Sequence, residues 1–321
     1  MKIKAKQIFF PFFIFVFLVT APLVVLYTAG YRYSTSLGMV VQTGILSIES
    51  LPKGATIVID SKIQNEKTPA ILDNIVPGEH LIKIVKDGYL SWEDNIEVNS
   101  RQTTFIKNAV LFSNAPAVAS TFSNSEMQTK ISTKINPNNL FFQKIINGLS
   151  LNKVNSNGQN IVIAYVPSGS YTFFQSPNSL ITIQKTQDNQ LYVIDENKSD
   201  LPILLSVKAE YFQWEESDDP RLLYSDGFDI NIYDPKIHST ETLTRFSDQI
   251  TGLTWHPKRT SVLFTKKQSL LALEIGKSKT VNRYILEQGD ELRDVWADGK
   301  NIYFFGRIKN TRGWFEKPLE D

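Results

Sequence analysis

The chain has 321 residues, enough for about two domains, and its 42% hydrophobic and 21% charged content excludes a disordered chain. Lys and Arg total 34 against 33 Asp and Glu, a net charge of +1, so no global basic field is present to hold a nucleic-acid backbone, and no nucleic-acid partner is expected. Cys is absent and histidine is limited to His80, His238 and His256; disulfides, thiol nucleophiles, Cys-type zinc and iron–sulfur centres are excluded, and neither a cofactor nor an imidazole-built metal site is expected.

Residues 1–7 form a basic tail with Lys2, Lys4 and Lys6. Ile8–Ala29 follows as 22 residues without a charge, rich in Phe, Val and Leu. As a helix at about 1.5 Å per residue it would reach roughly 33 Å, the thickness of a bilayer core, and a helix satisfies its own backbone in lipid. Three Lys before the run against Arg32 after it predict a cytoplasmic N-terminus, with the bulk of the chain outside the cytoplasm. A cleaved signal peptide is the competing reading. Its apolar region would be only about 7–15 residues, and Pro22 directly follows the best small-residue site, Val19-Thr20-Ala21, so a retained anchor is favoured. Gly30–Thr43 reads as an interfacial exit, with Tyr27, Tyr31 and Tyr33 suited to the headgroup level.

From Gly44 to Phe112 the pattern turns to short strands. Ile45–Ser50, Ala55–Asp60, Leu81–Lys86, Trp92–Val98 and Thr103–Phe112 alternate with turn clusters such as Leu51-Pro52-Lys53-Gly54 and Val76-Pro77-Gly78. Thr68–Leu72 reads as an irregular edge. Strands at this spacing predict an all-β sandwich over residues 44–112. Gly54, Gly78 and Gly88 fall where turns need left-handed backbone, and Tyr89 and Trp92 are expected to plug the core.

The run Ser47-Ile-Glu-Ser-Leu-Pro-Lys-Gly-Ala-Thr-Ile-Val-Ile-Asp60, with Thr68-Pro69, Val76-Pro77-Gly78-Glu79-His80, Lys86-Asp87-Gly88-Tyr89 and Trp92, resembles a PEGA domain. Ser61-Lys62 departs from the family, which usually has Gly in the turn after Asp60. The resemblance implies a small β-rich module similar to transthyretin-like sandwiches, found in surface-layer and other envelope proteins and beside some membrane kinases, with no established catalytic residues. Glu79 and His80 then read as turn polarity rather than as an acid/base pair.

Residues 113–139 are rich in Ser, Thr, Asn, Ala and Pro and are expected to be a linker that donates at most one strand. Beyond residue 140 the signal is self-similarity. Trp214, Trp255 and Trp296 are spaced 41 apart, and Phe174 lies 40 before Trp214. Each aromatic closes a strand, and a polar turn, a strand, a second turn and another strand follow. Ser156–Ala164 reads as a partial copy of Ala297–Phe305. A period of about 40–45 residues with about four strands is one propeller blade. Trp255-His256-Pro257-Lys258 and Trp296-Ala297-Asp298-Gly299-Lys300 resemble the WD40-like repeats of TolB-type propellers, although Lys258-Arg259-Thr260 replaces the Asp-Gly turn. Residues 140–321 hold 4.4 such periods, which suits four or five blades or an incomplete ring. A second β-sandwich is the rival arrangement.

Chemistry-bearing residues are few. Glu215, Glu216, Asp218 and Asp219 have the oxygen donors for Ca²⁺, but a solvated hairpin tip explains them equally; Asp226 and Asp229 are similar and lack calcium-loop spacing. His238 and His256 read as polar loop residues. Neither a nucleophile elbow nor a glycine-rich phosphate loop is present. The regular aromatics Phe174, Trp214, Trp255 and Trp296 could line a sugar-binding face, but their equal place in each repeat points to core packing. No catalytic, cofactor-binding or metal residue is therefore assigned. The expected protein is a single-span, extracytoplasmic, non-enzymatic scaffold or binding protein of the envelope. It is anchored in the bilayer through 8–29 and recognises an envelope protein or cell-wall glycan through its loop faces. An extracytoplasmic hydrolase or lyase with its site on the propeller loop face is the alternative.

Overall fold

The computed structural model describes residues 5–34, 38–276 and 282–319, so Lys2 and Lys4 of the basic tail lie outside the described residues. The chain is almost entirely β, with one long apolar helix near its start. It divides into two compact units, the first running to Asn114 and the second comprising Ala115–Gly276 and Arg283–Leu319.

The helix spans Ala5–Thr28 and passes through Pro11 and Pro22 without ending. Its window Pro11–Thr28 is long and apolar enough to cross a membrane, and none of it is buried by protein. Phe13, Phe15 and Phe17 each expose about two thirds of their surface. A core helix would have covered these rings. The Thr20 and Thr28 hydroxyls donate to the carbonyls of Val16 and Val25, which satisfies them within the helix. Gly30, at φ +81°, ends the helix in the left-handed conformation that costs glycine little.

The first unit continues in two larger sheets. One orders Ala70–Ile75, Gly44–Leu51 and Thr103–Val110; the other orders Lys62–Lys67, Thr56–Ile59, Gly78–Val85 and Trp92–Val98. Gly44–Leu51 runs parallel to Thr103–Val110 and antiparallel to Ala70–Ile75. Strict alternation along the strands buries Leu46 and Ile48 from one sheet and Ile57, Ile82 and Ile84 from the other. Trp92 is 3% exposed and fills the core as expected, whereas Tyr89 is half-buried and forms a bridge to Ser113 at the edge. The strand Lys62–Lys67 was not expected. It is an exposed edge strand of polar residues with no apolar alternation to betray it. It is reached through Asp60 and Ser61, both left-handed, the backbone that the family's usual glycine adopts at less cost.

The second unit is a succession of five antiparallel sheets. The first contains Leu140–Ile145, Gly148–Val154 and Asn160–Val166. The second contains Tyr171–Phe174, Leu180–Lys185, Gln190–Asp195 and Ile203–Lys208, with Lys134–Ile135 added beside Tyr171–Phe174. The third is Tyr211–Trp214, Leu222–Ser225, Asp229–Asp234 and Ser239–Arg245; the fourth is Ile250–Trp255, Ser261–Lys266, Ser269–Glu274 and Arg283–Gln288. The fifth, Asp290–Ala297, Asn301–Ile308 and Thr311–Pro318, takes its last strand, Val118–Ala119, from far earlier in the chain.

Cores form between neighbouring sheets. Leu151 and Ile163 of the first meet Ile183 and Tyr192 of the second. Leu191 and Val193 meet Leu222 and Tyr224 of the third, and Leu223 and Ile232 meet Trp255 and Phe264 of the fourth. Each middle strand thus buries both faces, so the repeats read as near-continuous apolar runs rather than alternating ones.

Two expectations are corrected here. The segment 113–139 is not an unstructured linker. It holds Val118–Ala119, a capped helix Asn124–Ile131 and Lys134–Ile135. Nor is Ser156–Ala164 a copy of Ala297–Phe305. Its strand Asn160–Val166 is the outermost of the first sheet, joined across a bulge at Leu151/Asn152, whereas Asn301–Ile308 is a second strand. The same bulge lies between the third and fourth strands of the second, third and fourth sheets. The three strands of the first sheet therefore correspond to the second, third and fourth of its neighbours, and its opening strand is the missing one.

Candidate functional site

The first strands of the second to fifth sheets line one cavity of about 470 Å³, through Phe174, Gln213, Thr254 and Asp294 among others. The first sheet contributes nothing to it. Its side is closed instead by Gln128–Lys134, the end of the helix Asn124–Ile131 and the strand that follows. That helix is well fastened. Ser123 and Glu126 form a reciprocal capping box. Met127 is fully buried against Tyr303 and Trp314, and Asn124 accepts a hydrogen bond from the Trp314 indole at 2.9 Å. Lys130 sits over the rings of Phe122 and Trp296 at 5.0 and 5.1 Å.

Where these strands end, two more cavities of about 350 and 230 Å³ open and share Gln213, Trp214, Glu215 and Glu216. The larger is bounded by all three repeat tryptophans. Their primary work is nevertheless packing between sheets. Trp255 is 5% exposed, its indole N–H donates to the Gln213 carbonyl at 3.1 Å, and its backbone N–H donates to Gln213 Oε1 at 2.9 Å. The Trp214 indole donates to the Thr182 hydroxyl at 2.9 Å. Trp296 stacks on Tyr303. Each aromatic ties its sheet to a neighbour, the packing role that its equal position in the repeat predicts, while the half-buried edges of Trp214 and Trp296 stay at the mouth.

The acidic run is dispersed by the fold. Both oxygens of Glu215 are taken by the Arg221 guanidinium at 3.0 Å, and that guanidinium lies over the Trp255 ring at 5.3 Å. Asp219 pairs with Lys236, and Asp218 is exposed. Glu216 is exposed at the mouth. Among the described residues no three acids or histidines converge on a metal-sized point. Asp226 accepts from the backbone of Phe228 and Asp229, and Asp298 accepts from Lys300 and Asn301, so both shape turns. His256 is 1% exposed and accepts the Lys258 N–H on Nδ1; burial, helped by Lys258, pushes it down to about 4, so it is neutral at physiological pH. His238 is exposed and meets Lys198 at 2.9 Å beside a separate cavity of about 550 Å³. His80 in the first unit faces acceptors on both ring nitrogens, Asp60 at 2.5 Å and the Val76 carbonyl at 2.6 Å, and joins two turns, while Glu79 is exposed.

One residue was missed by sequence reasoning. Asp294 lies in the central cavity with Glu210 and Glu216, and burial raises its carboxyl above the usual range. Its strand is irregular twice over, with shifts before and after Arg293 and left-handed backbone at Glu291 and Asp294. Bulges of this kind re-aim a side chain. The signal was present in the repeat. The position two before the closing aromatic holds Thr172, Phe212 and Leu253 in the other units and a carboxylate only here.

Residues 43–110 match the PEGA domain family. No curated protein matches the chain. Among solved structures, an oligogalacturonate lyase in complex with manganese is similar at 11% identity and a TM-score of 0.37, covering 75% of this chain and 74% of the other. An auxiliary nutrient binding protein from Bacteroides thetaiotaomicron is similar at 10% identity and 0.32, covering 83% and 78%. Hsv2 of Kluyveromyces lactis is similar at 9% identity and 0.35, covering 86% and 98%.

Proposed function

We propose that this chain is a membrane-anchored, extracytoplasmic binding protein of the cell envelope. The helix Ala5–Thr28 crosses the bilayer with its N-terminus in the cytoplasm. Residues 44–112 form a PEGA-type sandwich. Residues 140–321 form a propeller-like domain of WD40/TolB type, whose mouth engages an envelope protein or a cell-wall glycan. The observation that carries this reading is the mouth itself. Connected cavities there present indole edges and the Gln213 amide. The ionisable groups best placed for acid–base work are occupied, Glu215 by Arg221 and His256 by its own turn. Apolar edges beside neutral donors and acceptors suit recognition of a partner rather than transfer of a proton.

One observation favours the hydrolase or lyase alternative: Asp294, with its raised carboxyl, shares a cavity with Glu210 and Glu216. A single experiment separates the two. The full chain in lipid nanodiscs is incubated with purified peptidoglycan sacculi and, separately, with solubilised envelope proteins, and retention and product release are both followed. Binding through the mouth predicts retention that Glu216→Arg weakens by about tenfold, the scale of one lost interface contact, while Leu201→Ala at the separate cavity leaves it unchanged. Retention untouched by Glu216→Arg removes the mouth from the proposal. Product release abolished by Asp294→Asn, with retention kept, transfers the assignment to the enzyme.

A further inference from the structure

Between the apolar helix and the two-sheet domain the chain makes an excursion. It leaves as Tyr31–Ser34, returns as Met39–Gln42, and the two strands pair with each other in a sheet of their own. An isolated two-stranded hairpin is marginal in water. This one also carries Tyr33 opposite Val40, exposed by 64% and 56%, with Met39 exposed by 58% and Tyr27 of the last helical turn by 64%. So short an element with so apolar a surface needs something to lie against.

The junction is tied on every side. Thr43 donates through both its N–H and its hydroxyl to the Gly30 carbonyl at 2.9 Å, and the Gln42 amide donates to the Ala29 carbonyl at 3.1 Å. Arg32 is the central strut. Its guanidinium lies 3.7 Å from the Tyr27 ring centre and donates to the Tyr27 carbonyl at 2.7 Å, to that of Tyr31 at 2.9 Å and to Asn74 Oδ1 at 2.7 Å. It thereby closes the helix C-terminus, where a cation is favoured, and fixes it to the domain's sheet. Arg101 donates to Gln42 and, through its backbone, to Thr43.

We propose that this hairpin is a lipid-facing collar: Tyr27, Tyr33, Met39 and Val40 rest at the headgroup and upper acyl level of the bilayer that the helix crosses, and Arg32 holds collar, helix and domain as one rigid joint. The proposal rests on the spanning reading of Ala5–Thr28. The occupant is lipid because the exposed patch is continuous with the lipid-facing surface of the helix through Tyr27. Tyrosine is also the side chain that suits an apolar body beside a wet edge. The depth follows from the backbone. The hairpin's outer edges are unpaired, which hydrocarbon forbids and the hydrated headgroup layer tolerates. With such a joint the domain does not swing on a tether; its orientation to the membrane is set by the anchor.

The absence of cysteine makes the test clean. Single nitroxides are placed by Val40→Cys, Val19→Cys and Ile63→Cys in the full chain, reconstituted in phosphatidylcholine–phosphatidylglycerol nanodiscs. Accessibility to oxygen and to an aqueous nickel complex is then measured by electron paramagnetic resonance. All three residues are exposed side chains, so labelling leaves the fold intact. The collar predicts an oxygen-to-nickel ratio at Val40 about threefold above that at Ile63 and below that at Val19, as interfacial depth requires. A label at Val40 as aqueous as the one at Ile63, with Val19 deep, overturns the collar and leaves the span standing. An aqueous label at Val19 overturns the span and the collar together. In the Val40→Cys background, Arg32→Ala should sharpen the spectrum by loosening the joint while Val19 keeps its depth. An unchanged line shape overturns the strut.

Discussion

In the fourth sheet of the second unit every position of the repeat is filled. Ile250–Trp255 opens it, three strands follow, and Val262, Leu263, Phe264 and Leu270 are fully buried. In the first sheet the opening strand is missing, and Gln143, Lys144 and Ile145 on the leading strand are exposed. The residues that should have supplied it, Lys134–Ile135, pair instead with Phe173 and Phe174 of the second sheet. The sequence around them still carries the repeat's punctuation: Ile135-Asn-Pro-Asn-Asn-Leu140 parallels Phe174-Gln-Ser-Pro-Asn-Ser-Leu180. A repeat can thus build walls from local pattern alone, while the space the walls enclose is set by the segment that leaves the pattern. Here that segment is the helix Asn124–Ile131 and its continuation, which line the central cavity in place of a strand.

The sharpest way to break this comparison is to hollow out the complete sheet. Phe264 is fully buried, 5.1 Å from Phe246 between the third and fourth sheets. Phe264→Ala should cost about 3–5 kcal/mol and unfold the second unit cooperatively in urea. A smaller loss, or a transition confined to one sheet, would mean that the repeats do not share their cores. On the irregular side, Met127→Ala removes the buried anchor of the helix and should cost about 2–4 kcal/mol. Its signature is different: faster protease cleavage within residues 115–139 before global unfolding. If cleavage does not quicken, the helix is as integral as the sheets.

The acid response sharpens the contrast, because it belongs to the regular part. His256 sits near 4 in the folded state against about 6.5 unfolded, so between those values the unfolded chain binds the extra proton. Stability from this group is complete above about pH 6.5 and is lost as pH falls toward 4, by on the order of 3 kcal/mol. His256→Gln should remove that part of the acid slope, as read by denaturation midpoints across pH 4–7. Asp294 works the other way: its raised carboxyl favours the protonated folded state, so its contribution falls as pH rises through the carboxylate range, and Asp294→Asn should flatten that fall. The smallest expected effect is at the helix cap. Ser123→Ala should cost about 1 kcal/mol, visible as earlier fraying of the helix in hydrogen exchange.

Much of this molecule could be read from its residues, and the reasons are local. A run of 22 uncharged apolar residues, strands cut by Pro-Gly turns, and tryptophans 41 apart each declare themselves within a few turns of chain. Gly54 and Gly88 adopt the left-handed backbone that their turns demanded, at φ +78° and +82°. Those signals determined an all-β chain with one apolar helix and periodic sheets, because hydrophobic period and turn chemistry act between near neighbours. What the tertiary structure alone decided depends on distant partners. Lys62–Lys67 is a strand only because Thr56–Ile59 lends it a ladder. Val118–Ala119 belongs to the fifth sheet because Phe315 and Glu316 are there to pair with it. Glu215 is spent on Arg221, and Asp294 is turned into the cavity by bulges that no period encodes. Such choices are made by whichever backbone edge or buried charge is left unsatisfied once the local elements have formed, and that remainder is a property of the assembled fold.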